Sequence, residues 1–121
     1  MDGMNQNLKK QILKYVVGVE SYKPPTDIYL ALYIDGKELT SDVGYKRQII
    51  VFKNGSDGEV TNKGEIIFPI ASKVWGIVNQ IALVDVDENI LFMAKTSQNK
   101  KIERGDQLRF EDGGLSIKVD L

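Results

Sequence analysis

The hydrophobic positions of this chain follow two periods, one after the other. Between Asn5 and Gly18 they recur at helical spacing: Leu8, Ile12, Tyr15 and Val16 fall on one stripe, and Leu13 and Val17 widen it. Asn5 or Asn7 supplies a cap and Gly18 a stop, which predicts a helix over about residues 5–18. The apolar arc spans roughly 220°, against about 100° for a helix docked on one surface. One sheet cannot cover that arc. Either the helix lies in a deep groove of its own domain, or its second flank is shared with another chain. Lys10, Gln11 and Lys14 mark the wet side.

After Pro24-Pro25, which favour an extended chain, the period becomes that of a strand. Ile28, Leu30, Leu32 and Ile34 alternate with Tyr29, Ala31 and Tyr33, the pattern of a strand covered on both faces, and Asp35-Gly36 then turns the chain. Short strands follow between turn signals: Arg47 to Lys53, the Asn54-Gly55-Ser56-Asp57-Gly58 turn, Glu59 to Asn62, and Glu65 to Ile70, where Pro69 limits pairing. Gly76 to Val86 and Ile90 to Lys95 flank Asp87-Glu88-Asn89. Ile102, Leu108 with Phe110, and Leu115 to Leu121 follow, separated by Gly105-Asp106 and Gly113-Gly114. Frequent turns without a second helical period predict a mainly β chain: an antiparallel β-sandwich, or a closed barrel, carrying one N-terminal amphipathic helix. The expected organisation is a single domain, residues 1–121, with the all-β part over about 26–121 and disorder limited to the first few residues.

Composition narrows the chemistry. The chain has 121 residues, 17 acidic and 16 basic side chains, no histidine and no cysteine. Disulfides, thiolate zinc sites and cysteine nucleophiles are therefore excluded, as are imidazole-ligated metals and Ser-His-Asp hydrolysis. No cofactor is called for, and the expectation is a protein that is not an enzyme. The basic residues form no stripe: only Lys9, Lys10 and Lys14, and Lys100, Lys101 and Arg104, lie close together, so no nucleic-acid partner is expected. The start of the chain lacks the layout of a secretory signal, and the longest apolar run, Ile28 to Ile34, is far below the roughly 20 residues of a spanning helix, so no membrane partner is expected either.

Candidate sites have plain alternatives. Asp85-Val86-Asp87-Glu88-Asn89 has the oxygen-rich look of a calcium loop, yet Ile90 and Thr96 stand where an EF-hand needs Gly and Glu, which favours a hairpin turn. Glu111 with Asp112, or Asp85 with Asp87, lie in turns rather than across a cleft. No glycine belongs to a phosphate-cradling loop. Trp75, with Tyr29, Tyr33 and Tyr45, offers either core packing or a sugar-stacking platform, and core packing is the favoured reading. Arg47 opens a strand after Tyr45, where its planar fork suits a carboxylate or neighbouring carbonyls, a structural role.

An ordered series of motifs then resembles the short bacteriophage tail-fibre-like virion proteins. It runs from the helix ending before Pro24-Pro25-Thr26 through Ile28-Tyr29-Leu30-Ala31-Leu32, Gly44-Tyr45-Lys46-Arg47-Gln48, Thr61-Asn62 before Ile67-Phe68-Pro69, Trp75-Gly76 and Ile90-Leu91-Phe92. It ends with Gly105-Asp106-Gln107-Leu108-Arg109-Phe110 and Gly114-Leu115-Ser116-Ile117. The resemblance implies a non-enzymatic building block of a phage particle, assembled in the host cytoplasm, as a tail-fibre-like, capsid-decoration or head-fibre component. On that reading Leu8, Ile12, Leu13, Tyr15, Val16 and Val17 form an assembly interface, and Tyr45, Arg47, Trp75, Gly105 and Asp106 are structural. The partners are further copies, with a trimer favoured, and other capsid or tail proteins. The alternative is a carbohydrate-binding sandwich that presents Tyr29, Tyr33 and Trp75 to a host glycan.

Overall fold

A computed structural model describes residues 3–21, 24–56 and 58–117. Its helix, α1 (Gln6–Val16), starts at Asn5, whose extended backbone lets the side-chain oxygen accept from the N–H groups of Asn7 (2.8 Å) and Leu8 (3.4 Å). It ends in a Schellman motif. Gly18 adopts φ 78° and donates to the Tyr15 carbonyl, while Val19 donates to that of Lys14 at 2.8 Å. The positive φ is why the stop is a glycine.

Ten strands follow: β1 (Ile28–Ile34), β2 (Lys37–Glu38), β3 (Gln48–Ile50), β4 (Phe52–Asn54), β5 (Val60–Asn62), β6 (Ile66–Ile67), β7 (Gly76–Asp85), β8 (Ile90–Ile102), β9 (Arg109–Phe110) and β10 (Ser116–Ile117). They form a five-stranded sheet ordered β2-β1-β7-β8 with β3 also on β1, a three-stranded sheet β10-β5-β4, and the β6-β9 pair, all antiparallel. The sheets enclose one main core in which Leu30, Leu32 and Phe68 are fully buried. The fold is therefore mainly β and sandwich-like.

No closed barrel forms among the described residues. The ladder is interrupted at Val51, where the segment expected as one strand from Arg47 to Lys53 divides: β3 pairs with β1, whereas β4 pairs with β5 in another sheet. It is interrupted again at Pro69, which has no N–H to donate; Phe68 still bonds Leu108, and pairing resumes only at Ala71 with Asp106.

Other boundaries moved as well. The strand expected to stop at Lys95 continues to Ile102, because its register against β7 jumps from Gln80↔Lys95 to Val78↔Lys100 and residues 96–99 bulge out opposite Asn79. Gly3 to Asn5 are held in place: Gly3 accepts from Met93, Asn5 donates to Leu91 at 2.7 Å, and Met4, buried, bridges to Phe92. This short segment attaches α1 to the edge of β8. The expected continuation of the last strand through 118–121, and Asp57 of the predicted turn, lie outside the described residues.

β1 occupies the middle of the large sheet. Its inward residues Leu30 and Leu32 belong to the main core, while Ala31 and Tyr33 on the other face pack with Ala82 and Val84. Asp35 and Gly36, at φ 48° and 84°, make the tight turn into β2. Asn79 and Gln80 hold that turn by accepting from the N–H groups of Asp35 (3.0 Å) and Gly36 (2.6 Å).

Candidate functional site

Two features stand out: a polar clamp at the edge of β1 and the uncovered flank of α1. The clamp begins with a gap. β2 and β3 share one edge of β1 without meeting, and the N–H of Leu32, a fully buried residue, finds no strand opposite. Tyr45 fills the gap. Its hydroxyl accepts from Leu32 N–H (3.2 Å) and donates to Glu38 Oε2 (2.6 Å). The Tyr45 ring is buried, stacked on Phe68 and edge-on to Trp75, whose indole N–H donates to the Val43 carbonyl at 2.8 Å. Behind it, Arg47 lays both arms of its fork on Glu38 (Nε to Oε2 and Nη2 to Oε1, each 2.7 Å) and extends Nη1 to Glu88 at 2.7 Å. One guanidinium thus ties β2 to the β7–β8 turn.

The electrostatics follow from this geometry. Burial works against the ionised Glu38, but hydrogen bonds from Arg47 and Tyr45 outweigh it and hold the carboxyl below its usual range. Burial, reinforced by the bond to Glu38, pushes the Tyr45 hydroxyl well above the usual phenol value. Neither group is placed to exchange protons near neutral pH, so the arrangement is a fastener and not an acid–base pair.

The five residues expected to be structural are therefore placed in two locations. Tyr45, Arg47 and Trp75 come together in the clamp. Gly105 and Asp106 form a separate corner: Gly105, at φ 89°, donates to the Ala71 carbonyl, Ala71 donates to that of Asp106, and the Asp106 carboxylate accepts from Glu103 N–H at 2.8 Å. Sequence reasoning missed the clamp's acceptor, Glu38, and also Asn62. Asn62 has no exposed surface: its amide donates to the carbonyls of Gly64 (2.7 Å) and Glu111 (2.8 Å) and accepts from Leu115 N–H (2.8 Å). A lone amide at a strand end before Lys63-Gly64 was the available signal.

Of the other carboxylates raised as candidates, Asp85 and Asp112 are engaged by neighbouring donors. Asp85 caps its own hairpin turn by accepting from the N–H groups of Asp87 and Asn89, and Asp112 accepts from Lys53 and from Gly64 N–H. Among the described residues no group of three or more acidic side chains is arranged to hold a metal ion. The glycan platform proposed from the rings is absent: Trp75 is 5% and Tyr33 7% exposed. Packing the rings into the two cores leaves no shared face to offer a sugar.

The helix is the opposite case. Of the six residues expected at an interface, Leu8 is buried and Ile12 partly so, whereas Leu13, Tyr15, Val16 and Val17 are 63%, 56%, 71% and 62% exposed. Among the described residues no deep groove encloses the helix. Leu8 instead helps to line an open cleft of about 530 Å³ together with Pro24, Pro25 and the β7–β8 turn.

The family described as podophage GP4 fiber I protein gp80 matches residues 3–118, nearly the whole chain. The chain belongs to that family. No curated protein matches the sequence. Membership in the gp80 fiber family makes the chain a phage fibre structural protein, in keeping with the resemblance read from the ordered β motifs. The match runs through the clamp, the Asn62 anchor and the helix alike, so all three belong to the family region.

Proposed function

We propose that this gp80-family protein is a non-enzymatic component of the virion, assembled in the host cytoplasm, that forms a homo-oligomer through the outer flank of α1. Three copies is the expected number, and other capsid or tail proteins are the expected neighbours. The observation that carries the reading is the exposure of Leu13, Val16, Val17 and Val19 on and just beyond one helix whose end is rigidly closed. Leaving an apolar side chain in water instead of burying it forgoes about 1.5–3 kcal/mol, so four together favour a partner surface. Further copies around a three-fold axis satisfy this symmetrically, each helix covering part of its neighbours' exposed flanks. The absence of histidine and cysteine, and the engagement of Asp85 and Asp112 by neighbouring donors, support a role performed by surfaces.

The test is light scattering during size-exclusion over a wide concentration range, on the wild type and on a Leu13→Asp/Val16→Asp variant. An oligomer that becomes a folded monomer in the variant supports the reading. A wild-type monomer at high concentration, or an oligomer indifferent to the substitutions, would sink it. Whether the protein belongs to tail or capsid is decided by imaging the particle with the protein labelled. Absence from purified virions overturns the assignment as a whole.

A further inference from the structure

A cavity of about 540 Å³ opens between the bulged part of β8 and the connection from β9 to β10. Its size falls within the range of about 300–1,000 Å³ common for small-molecule sites. Its apolar lining is contributed by Val78, Leu108 and Leu115, all buried, with the half-buried Phe110 ring. Its polar lining comes from Thr96, Ser97 and Ser116 and from two cations, Lys95 and Lys100, which stand at the two ends of the 96–99 excursion. The bulge is what brings them to one rim. In an unbroken ladder, residues five apart would point to opposite faces.

The charge state of this rim differs from that of the neighbouring surface. Lys101 pairs with Glu103, Lys53 with Asp112 and Arg109 with Glu65, whereas Lys95 and Lys100 have neither an ion-pair nor a hydrogen-bond partner among the described residues. The described lining contains no acidic side chain. The carboxylate next to it, Glu59, is taken up by the Ser116 hydroxyl. Two ammonium groups with no carboxylate partner among the described residues, above an apolar floor with an aromatic wall, suit a ligand that carries negative charge at one end and a ring with C–H faces at the other.

We infer that this cavity is a binding site for an acidic sugar, its carboxylate or phosphate held between Lys95 and Lys100 and its ring laid against Phe110 and Leu115. The inference is independent of the helix-mediated oligomer, and it places carbohydrate away from the buried rings of Trp75 and Tyr33.

The experiment is a ¹⁵N NMR titration of the full chain with glucuronate, glucose 6-phosphate, glucose and inorganic phosphate, each to millimolar concentration. Shifts confined to the amides of Lys95–Lys100 and Gly114–Ser116, caused by a charged sugar and by neither glucose nor phosphate alone, are expected. Response to glucuronate or to glucose 6-phosphate identifies the charge source. The Lys95→Gln/Lys100→Gln variant, altered only at exposed positions, is expected to keep the remaining spectrum and to weaken binding roughly tenfold or more. No response to either charged sugar overturns the inference. So does an equal response to glucose, an equal response to inorganic phosphate, or undiminished binding by the variant.

Discussion

β1 and α1 both carry more apolar side chains than one buried face requires, and the molecule treats them in opposite ways. β1 is covered twice: Leu30 and Leu32 enter the main core, Ala31 and Tyr33 a second cluster, and even its backbone edge is completed by the Tyr45 hydroxyl. α1 is attached through Gly3–Asn5 and Leu8, while its last turn displays Val16 and Val17 to solvent. An apolar pattern records how much surface must leave water without recording which molecule covers it. For β1 the cover is the same chain, and for α1 we propose that it is another.

The contrast can be broken at several points. Leu32→Ala is expected to have the largest effect, a loss of about 2–5 kcal/mol, because it empties a fully enclosed site; urea midpoints measure it, and a loss below about 1 kcal/mol would mean that the inner face of β1 is far looser than its burial suggests. Tyr45→Phe comes next, at about 1–3 kcal/mol, since it strands the buried Leu32 N–H and deprives Glu38 of a donor while keeping the ring stacks. A near-neutral result would show that the edge needs no closure.

Acid provides a milder probe of the same clamp. The carboxyl of Glu38 is held below its usual range in the folded state, so its contribution is fully present above the ordinary glutamate value of about 4.3 and is lost as pH falls through the lower folded value. Unfolding curves taken between about pH 5 and pH 2 are expected to show a shallower decline in Glu38→Gln than in the wild type. Parallel declines would exclude Glu38 from the acid response. Val16→Asp is expected to be the least disruptive for the fold, within about 0.5 kcal/mol of wild type, while abolishing assembly. Large destabilisation by this exposed substitution would place the helix flank inside its own fold after all. The same substitution at Ile12 is less discriminating because that residue is already partly covered.

β1 was legible to the residue, because Pro24-Pro25 and Asp35-Gly36 punctuate a run whose alternate side chains are all large or apolar. The start of α1 was narrowed to a cap at Asn5 or Asn7, and it is the Asn5 side chain that accepts from the first turn. The division at Val51 was hidden: Arg47 to Lys53 reads as one strand, and only the partners, Tyr29 for Ile49 and Thr61 for Lys53, assign its halves to different sheets. The clamp was half visible. Arg47 and Tyr45 were recognisable by type, but Glu38 lies in a stretch without periodicity, and its role depends on β2 folding back against β1. Asn62 offered only a weak signal for a similar reason: of the two carbonyls it satisfies, that of Gly64 is two residues away, but that of Glu111 belongs to a loop some fifty positions on in the chain.

The Tyr45 hydroxyl has one more effect, on what the sheet cannot do. An open strand edge is a template on which a foreign strand can add and propagate. Along the outer edge of β1, two strands of two and three residues flank a single phenol, and none of these segments is long enough to receive another chain's backbone. That edge is thereby closed to strand addition, and a neighbour approaching it meets side chains instead of an open backbone ladder.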